Sequence, residues 1–212
     1  TWSTMTTLEP NDISLVEKAL DEDDDIAAIV LEPTGAHMGV SPVYPSFLKE
    51  LREVTSSRGV VLMFDEVVTG FRSSPGGAQG RYGVTPDITS LAKILGGGLP
   101  GGAVTGKADV LDMIQHREPE WDAAHRIAHP GTFNANPLSA AAGTAALELV
   151  ATTNINAQAE AMAQRLKDGV NQVLARLEIP GCINGVASLV HITLGAPHEC
   201  DGAICKLDHE TI

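Results

Sequence analysis

The sequence is short of positive charge. Fourteen Lys and Arg stand against 27 Asp and Glu, a formal net charge of −13 over 212 residues. Phosphate contacts need clustered Lys and Arg, so this balance argues against nucleic-acid binding and against docking on an anionic membrane. Long hydrophobic runs are missing too. The longest, Ile26 to Leu31, falls far below the roughly 20 residues that cross a bilayer. No basic segment followed by an apolar one opens the chain as a secretory signal would. Cysteine is scarce and odd in number, at Cys182, Cys200 and Cys205, which predicts no closed disulfide framework and fits a reducing compartment. In the tail, His198, Cys200, Cys205 and His209 match no common zinc spacing and read as loop and core residues. Nucleotide-binding loops are absent as well. There is no Gly-x4-Gly-Lys-Ser/Thr stretch, and Gly96 to Gly102 lacks the Gly-x-Gly-x-x-Gly spacing. What is left is a soluble, acidic, cytoplasmic protein.

A composition of 43% apolar and 19% charged residues predicts a folded chain. Thr1 without a methionine and Ile212 without a helix stop read as cuts, so a fragment is expected. Ile13, Val16 and Leu20 share one helical face behind Asn11 as N-cap. The acidic run Asp21 to Asp25 reads as a solvated loop. Helical spacing recurs over Pro45 to Arg58, stopped by Gly59, and over Asp109 to Ile114, Pro137 to Val150 and Ile155 to Leu177. Apolar strands are expected at Ile26–Glu32, Val60–Phe64, Ile88–Ala92 and Ala103–Thr105, with strand, turn and strand from Cys182 to Leu194. Residues 69–86 read as loop, and residues 115–131 as polar and irregular. Apolar strands alternating with helices indicate an α/β fold with a mostly parallel sheet, and such sheets bind ligands at the carboxyl ends of their strands.

Three polar residues end those strands: Glu32, Asp65 and Lys93. Asp65 ends the most apolar strand, where a carboxylate needs a cation or several donors to stay ionised. It reads equally as a helix cap or a partner for Arg72. Lys93 ends the next strand and precedes Gly96-Gly97-Gly98. Burial there would lower its pKa and make it a nucleophile able to form a Schiff base. The glycines permit close backbone approach to a ligand. Together these groups meet the needs of pyridoxal phosphate: a lysine for the aldehyde, an acid for the pyridine nitrogen and donors for the phosphate. Gly131-Thr132-Phe133-Asn134, ahead of the helix from Pro137, offers N–H groups and a hydroxyl for an anion.

Phe64-Asp65-Glu66-Val67-Val68-Thr69-Gly70-Phe71-Arg72, Pro86-Asp87-Ile88 and Lys93-Ile94-Leu95-Gly96-Gly97-Gly98-Leu99-Pro100 resemble the signature of class III pyridoxal-phosphate aminotransferases. Gly131-Thr132-Phe133-Asn134-Ala135-Asn136-Pro137-Leu138 resembles the branch that holds glutamate-1-semialdehyde 2,1-aminomutase and β-amino-acid aminotransferases. The resemblance implies aminotransferase fold type I, with residues 1–150 in the large cofactor domain. Residues 151–212 would form a linker helix and the beginning of a small C-terminal α/β domain. It implies that Lys93 forms the Schiff base and moves the substrate proton, and that Asp65 pairs with the pyridinium nitrogen. Val67 would pack on the ring, and His37 would lie near the cofactor's phenolic oxygen or the substrate. Thr132 would bind the phosphate of a neighbouring subunit's cofactor, hence a homodimer with shared sites. Glu32 would be structural. The family's Ser-Gly-Thr phosphate loop and the aromatic residue that stacks on the pyridine precede the region matched here. The activity implied is amino transfer on a small amino acid. The alternatives are the aminomutase, which returns the amino group to the same skeleton, and a non-catalytic α/β fragment without cofactor.

Overall fold

The computed structural model describes residues 4–35 and 41–195. Its strands in chain order are β1 (Ala28–Leu31), β2 (Ser41–Pro42), β3 (Val61–Glu66), β4 (Ile88–Ala92), β5 (Gly102–Gly106), β6 (Gly181–Asn184) and β7 (His191–Leu194). Its α-helices are α1 (Ile13–Glu22), α2 (Pro45–Arg58), α3 (Gly77–Tyr82), α4 (Ala108–Leu111), α5 (Pro119–His125), α6 (Pro137–Thr152) and α7 (Ile155–Arg176). The main sheet has the order β1-β3-β4-β5, with β1, β3 and β4 parallel and β5 antiparallel at the edge. A separate antiparallel pair, β6-β7, packs against α7. The mostly parallel α/β sheet expected from the sequence is therefore present.

One face of this sheet is closed and the other is open. Leu62 and Phe64 of β3 are fully buried against Val16 and Leu20 of α1 and Phe47, Leu48 and Leu51 of α2. Side chains alternate along a strand, so Met63 and Asp65 point the other way. Val30, paired with Met63, is 59% exposed, and Val104, paired with Ser90, is 44% exposed. Apolar strands in a parallel sheet are ordinarily covered on both faces. Among the described residues only the α1–α2 side is covered.

The local signals explain most boundaries. Pro45 opens α2, Arg58 sits in its last turn, and Gly59 ends it in the left-handed conformation at φ 71°. At α1 the cap is Asp12 rather than Asn11. The Asp12 Oδ1 accepts the Ser14 N–H at 3.0 Å and the Ser14 hydroxyl at 2.6 Å, and these bonds hold its carboxyl below the usual range. Asn11, at φ 69°, instead donates to the Pro42 carbonyl and accepts from the Tyr44 N–H, tying the start of α1 to the entry of α2. Within the loop of residues 69–86 lies the short helix α3, whose origin is described below.

Residues 115–131 are also less irregular than their polarity suggests. The Asp122 carboxylate in α5 accepts the Arg117 N–H and meets His116 Nδ1, each at 2.8 Å, while the Arg117 guanidinium lies 4.3 Å from the centre of the Trp121 ring. Cys182 is buried and disulfide-bonded. An odd cysteine count excludes a complete framework but not a single bridge. No helix among the described residues is long and apolar enough to cross a membrane. The His and Cys residues of the tail lie outside the described residues.

A buried ion cluster fixes β3 and β4 in register. Asp87 is 4% exposed; it accepts the Leu62 N–H at 2.7 Å and pairs with Arg52 at 2.9 Å and Lys107 at 2.6 Å. Burial pushes its carboxyl up. Lys107, the Leu62 amide and Arg52 outweigh that and hold it below the ordinary value.

Candidate active site

Two adjacent carboxylates end β3, and strand alternation sends them to opposite faces. Glu66 goes to the closed face and is 1% exposed. Its oxygens accept the Ala78 N–H at 2.5 Å, the Gln79 N–H at 3.3 Å, the Gln79 Nε2 at 3.1 Å and the Thr69 hydroxyl at 3.1 Å. These bonds create α3, because Glu66 supplies the acceptor for its first free amides. Gly77, at φ 67°, lets the backbone approach: a Cβ there would lie 2.4 Å from Glu66 Oε2. A hollow of about 400 Å³ beside it is lined by Glu66, Gly77, Gln79 and Leu91, but the polar groups there are already engaged with one another. Glu66 is a structural centre that the sequence reading passed over.

Asp65 goes to the open face and is half-buried. Its Oδ1 accepts the Val67 N–H at 3.0 Å and the Ser90 hydroxyl at 3.2 Å. Among the described residues its Oδ2 accepts no hydrogen bond. Of the sequence alternatives for Asp65, the cap-like bond to the Val67 amide is present on Oδ1, which leaves Oδ2 without a donor among the described residues. No bond joins it to Arg72, which donates to the Ser188 hydroxyl instead.

In the parallel pair β3-β4, Asp65 lies opposite Ser90. Lys93 is three residues further along, a span of at most about 11 Å. It does not end a buried strand as expected. Lys93 is exposed and opens a 3-10 turn, Lys93–Gly96, with φ 50°. A left-handed lysine is strained and persists only where its surroundings over-determine it, a condition that clusters at functional sites. Here the surroundings are α6. A Cβ on Gly97 would lie 2.2 Å from the Ala142 carbonyl oxygen, and one on Gly143 would lie 2.3 Å from the Leu95 carbonyl oxygen. Two glycines facing each other let the helix seat directly on the turn that carries Lys93. The Gly-rich run thus serves helix packing as well as any ligand.

Thr132 lies ahead of α6 in an exposed turn closed by the Asn134 N–H to the Gly131 carbonyl at 3.0 Å. The first helix amides, Leu138 and Ser139, are not available to an anion, because the Asn136 side chain caps them at 3.0 and 3.2 Å. The free donors near Thr132 are those of the turn. No hydrogen bond among the described residues joins Thr132 to Asp65 or Lys93. Val67 is half-buried and meets Asp65 through its amide. Glu32 follows β1, and its carbonyl accepts the Gly35 N–H at 2.9 Å. His37 lies outside the described residues.

The donor set fits pyridoxal phosphate in two respects. A carboxylate with one uncommitted oxygen suits a protonated pyridine nitrogen, and an accessible lysine amine on the neighbouring strand end suits an aldehyde. Comparison with known proteins gives the same direction. The family model for class III aminotransferases matches residues 7–211. The chain is 41% identical over 185 residues to glutamate-1-semialdehyde 2,1-aminomutase 2 of Brevibacillus brevis, covering 87% of this chain and 42% of that protein. Among solved structures, an omega-transaminase from Sphaerobacter thermophilus is 41% identical, with a TM-score of 0.77 over 87% of this chain and 41% of that one. A transaminase with PLP bound is 27% identical, with a TM-score of 0.77 over 91% and 45%. The chain spans less than half the length of the relatives it matches. It belongs to the class III aminotransferase family.

Proposed function

We propose that this class III aminotransferase chain carries the catalytic middle of a pyridoxal-phosphate-dependent enzyme that transfers an amino group between small amino and keto substrates. The observation that carries this reading is Asp65, with one oxygen uncommitted among the described residues, on β3, and a left-handed Lys93 three residues beyond its partner Ser90 on the adjacent strand. When bound, the cofactor supplies an electron sink for negative charge at the substrate α-carbon. Asp65 Oδ2 would keep the pyridine nitrogen protonated, as a negative charge nearby favours the cationic form. Lys93 would hold the cofactor through its amine, then carry the proton to and from the substrate carbon. Val67 would pack on the ring, and His37 would sit near its phenolic oxygen or the substrate. Glu32 would be structural.

The full enzyme would be a cytoplasmic homodimer with shared sites. Thr132 would donate to the phosphate of the neighbouring subunit's cofactor. Support comes from the residues that follow it in sequence: Phe133 and Leu138 are 70% and 68% exposed, apolar side chains that a second copy could cover. Residues 1–150 would form part of the large domain, and α7 with β6-β7 the linker and start of the small one.

The aminomutase reading stays beside it because the Brevibacillus relative, 41% identical, bears that name. Both use the same residues. Full-length protein given an amino donor and a 2-oxo acid separates them. Acceptor-dependent turnover supports the transaminase, and turnover indifferent to the acceptor overturns it in favour of the aminomutase.

A further inference from the structure

We propose that Ser90 is a positioning residue for Asp65: its hydroxyl fixes the rotation of the carboxylate so that Oδ2 faces the ring nitrogen of pyridoxal phosphate. This rests on the reading that Asp65 meets that nitrogen. Ser90 is the direct partner of Asp65 in the parallel register, so both side chains leave the same face of the sheet. Two donors converge on one oxygen from different segments. The Val67 N–H reaches Oδ1 from the same strand end at 3.0 Å, and the Ser90 hydroxyl reaches it from β4 at 3.2 Å.

The terminal torsion of an aspartate is broad, so a single donor on Oδ1 leaves the carboxylate free to swing about that contact. A second donor from a neighbouring strand removes that freedom. The Ser90 contact is long for an O–H···O pair, which makes the Val67 amide the firmer tether and Ser90 the group that sets the rotation. A carboxylate held in place at the ring nitrogen favours the protonated pyridine, because a fixed negative charge nearby stabilises the cation. Glu66 provides the internal control. It is one residue away with four donors on two oxygens, and it presents nothing outward.

The test uses the full-length holoenzyme loaded with pyridoxal phosphate labelled with ¹⁵N in the ring. Ser90→Thr keeps a hydroxyl, Ser90→Val has the shape of threonine without it, and Ser90→Ala removes it with less bulk. In Val and Ala the ring-nitrogen resonance should move toward the unprotonated position, and kcat should fall about tenfold with KM for the amino donor little changed. Thr should retain the wild-type resonance. Asp65→Asn should move it furthest. If Val and Ala keep the wild-type resonance while Asp65→Asn shifts it, the role of Ser90 is refuted and that of Asp65 stands. A lowered melting temperature in Val and Ala with an unmoved resonance counts against the proposal in the same way. If Asp65→Asn leaves the resonance in place, the reading of Asp65 fails and the role of Ser90 falls with it.

Discussion

Asp65 and Glu66 are the same chemistry one bond apart along the chain, and the two faces of β3 give them opposite fates. On the closed face Glu66 is buried, and its oxygens are filled by donors from α3 and Thr69. On the open face the two donors that Asp65 has among the described residues share one oxygen. A carboxylate whose acceptors are all satisfied inside the protein builds structure. One left half-satisfied at a strand end can meet a ligand. Burial alone would have ranked these residues in the wrong order for function.

Substitutions on the two faces should therefore separate stability from chemistry. The largest stability loss is expected from Glu66→Ala, which leaves the amides of Ala78 and Gln79 without their buried acceptor: about 4 kcal/mol by urea denaturation of the full-length protein. Asp87→Asn should cost about 3 kcal/mol, since it leaves Arg52 and Lys107 without their shared carboxylate. Its effect should also depend on pH. Asp87 has a lower pKa folded than unfolded, so its stabilisation is complete above the unfolded carboxyl range and is lost as pH falls through the folded value. Denaturation curves of wild type and Asp87→Asn should converge in acid, and a gap that persists there contradicts the assignment.

Gly143→Ala should cost about 2 kcal/mol by pushing α6 off the Leu95 carbonyl. It should also weaken cofactor retention, because that contact seats the turn of Lys93. Cofactor content measured after dialysis checks the second effect. The smallest stability change is expected from Asp65→Asn, within about 0.5 kcal/mol, together with a large loss of amino transfer. If Asp65→Asn unfolds the protein as Glu66→Ala does, the contrast between the faces disappears.

Much of this was readable in the sequence, and the exceptions have physical causes. Helix α2 declares itself at both ends through Pro45 and Gly59, and the strand cores carry unbroken apolar runs. Asp65 and Lys93 stood out because polar groups at the ends of such runs need a reason. Glu66 was passed over, although alternation in VLMFDE already puts it with Leu62 and Phe64 on the buried side. Its partners come from α3, a helix of six residues rich in glycine, too short and too weak in propensity to be seen until the carboxylate that caps it is known. Lys93 was expected buried because it follows an apolar strand. The structure turns the chain there through a positive φ, a strain no residue pattern announces. Asn11 and Asp12 were exchanged as caps, since adjacent Asn and Asp are near-equal candidates and only the contact from Asn11 to Pro42 and Tyr44 decides between them.

If the open strand ends hold the cofactor, Lys93 is the residue that binds it covalently. Borohydride reduction of full-length protein loaded with pyridoxal phosphate, followed by peptide mass spectrometry, tests it directly. One pyridoxyl-labelled peptide is expected, carrying the label on Lys93 and absent from Lys93→Ala. A label on another lysine, or none on protein shown to be folded, would contradict it.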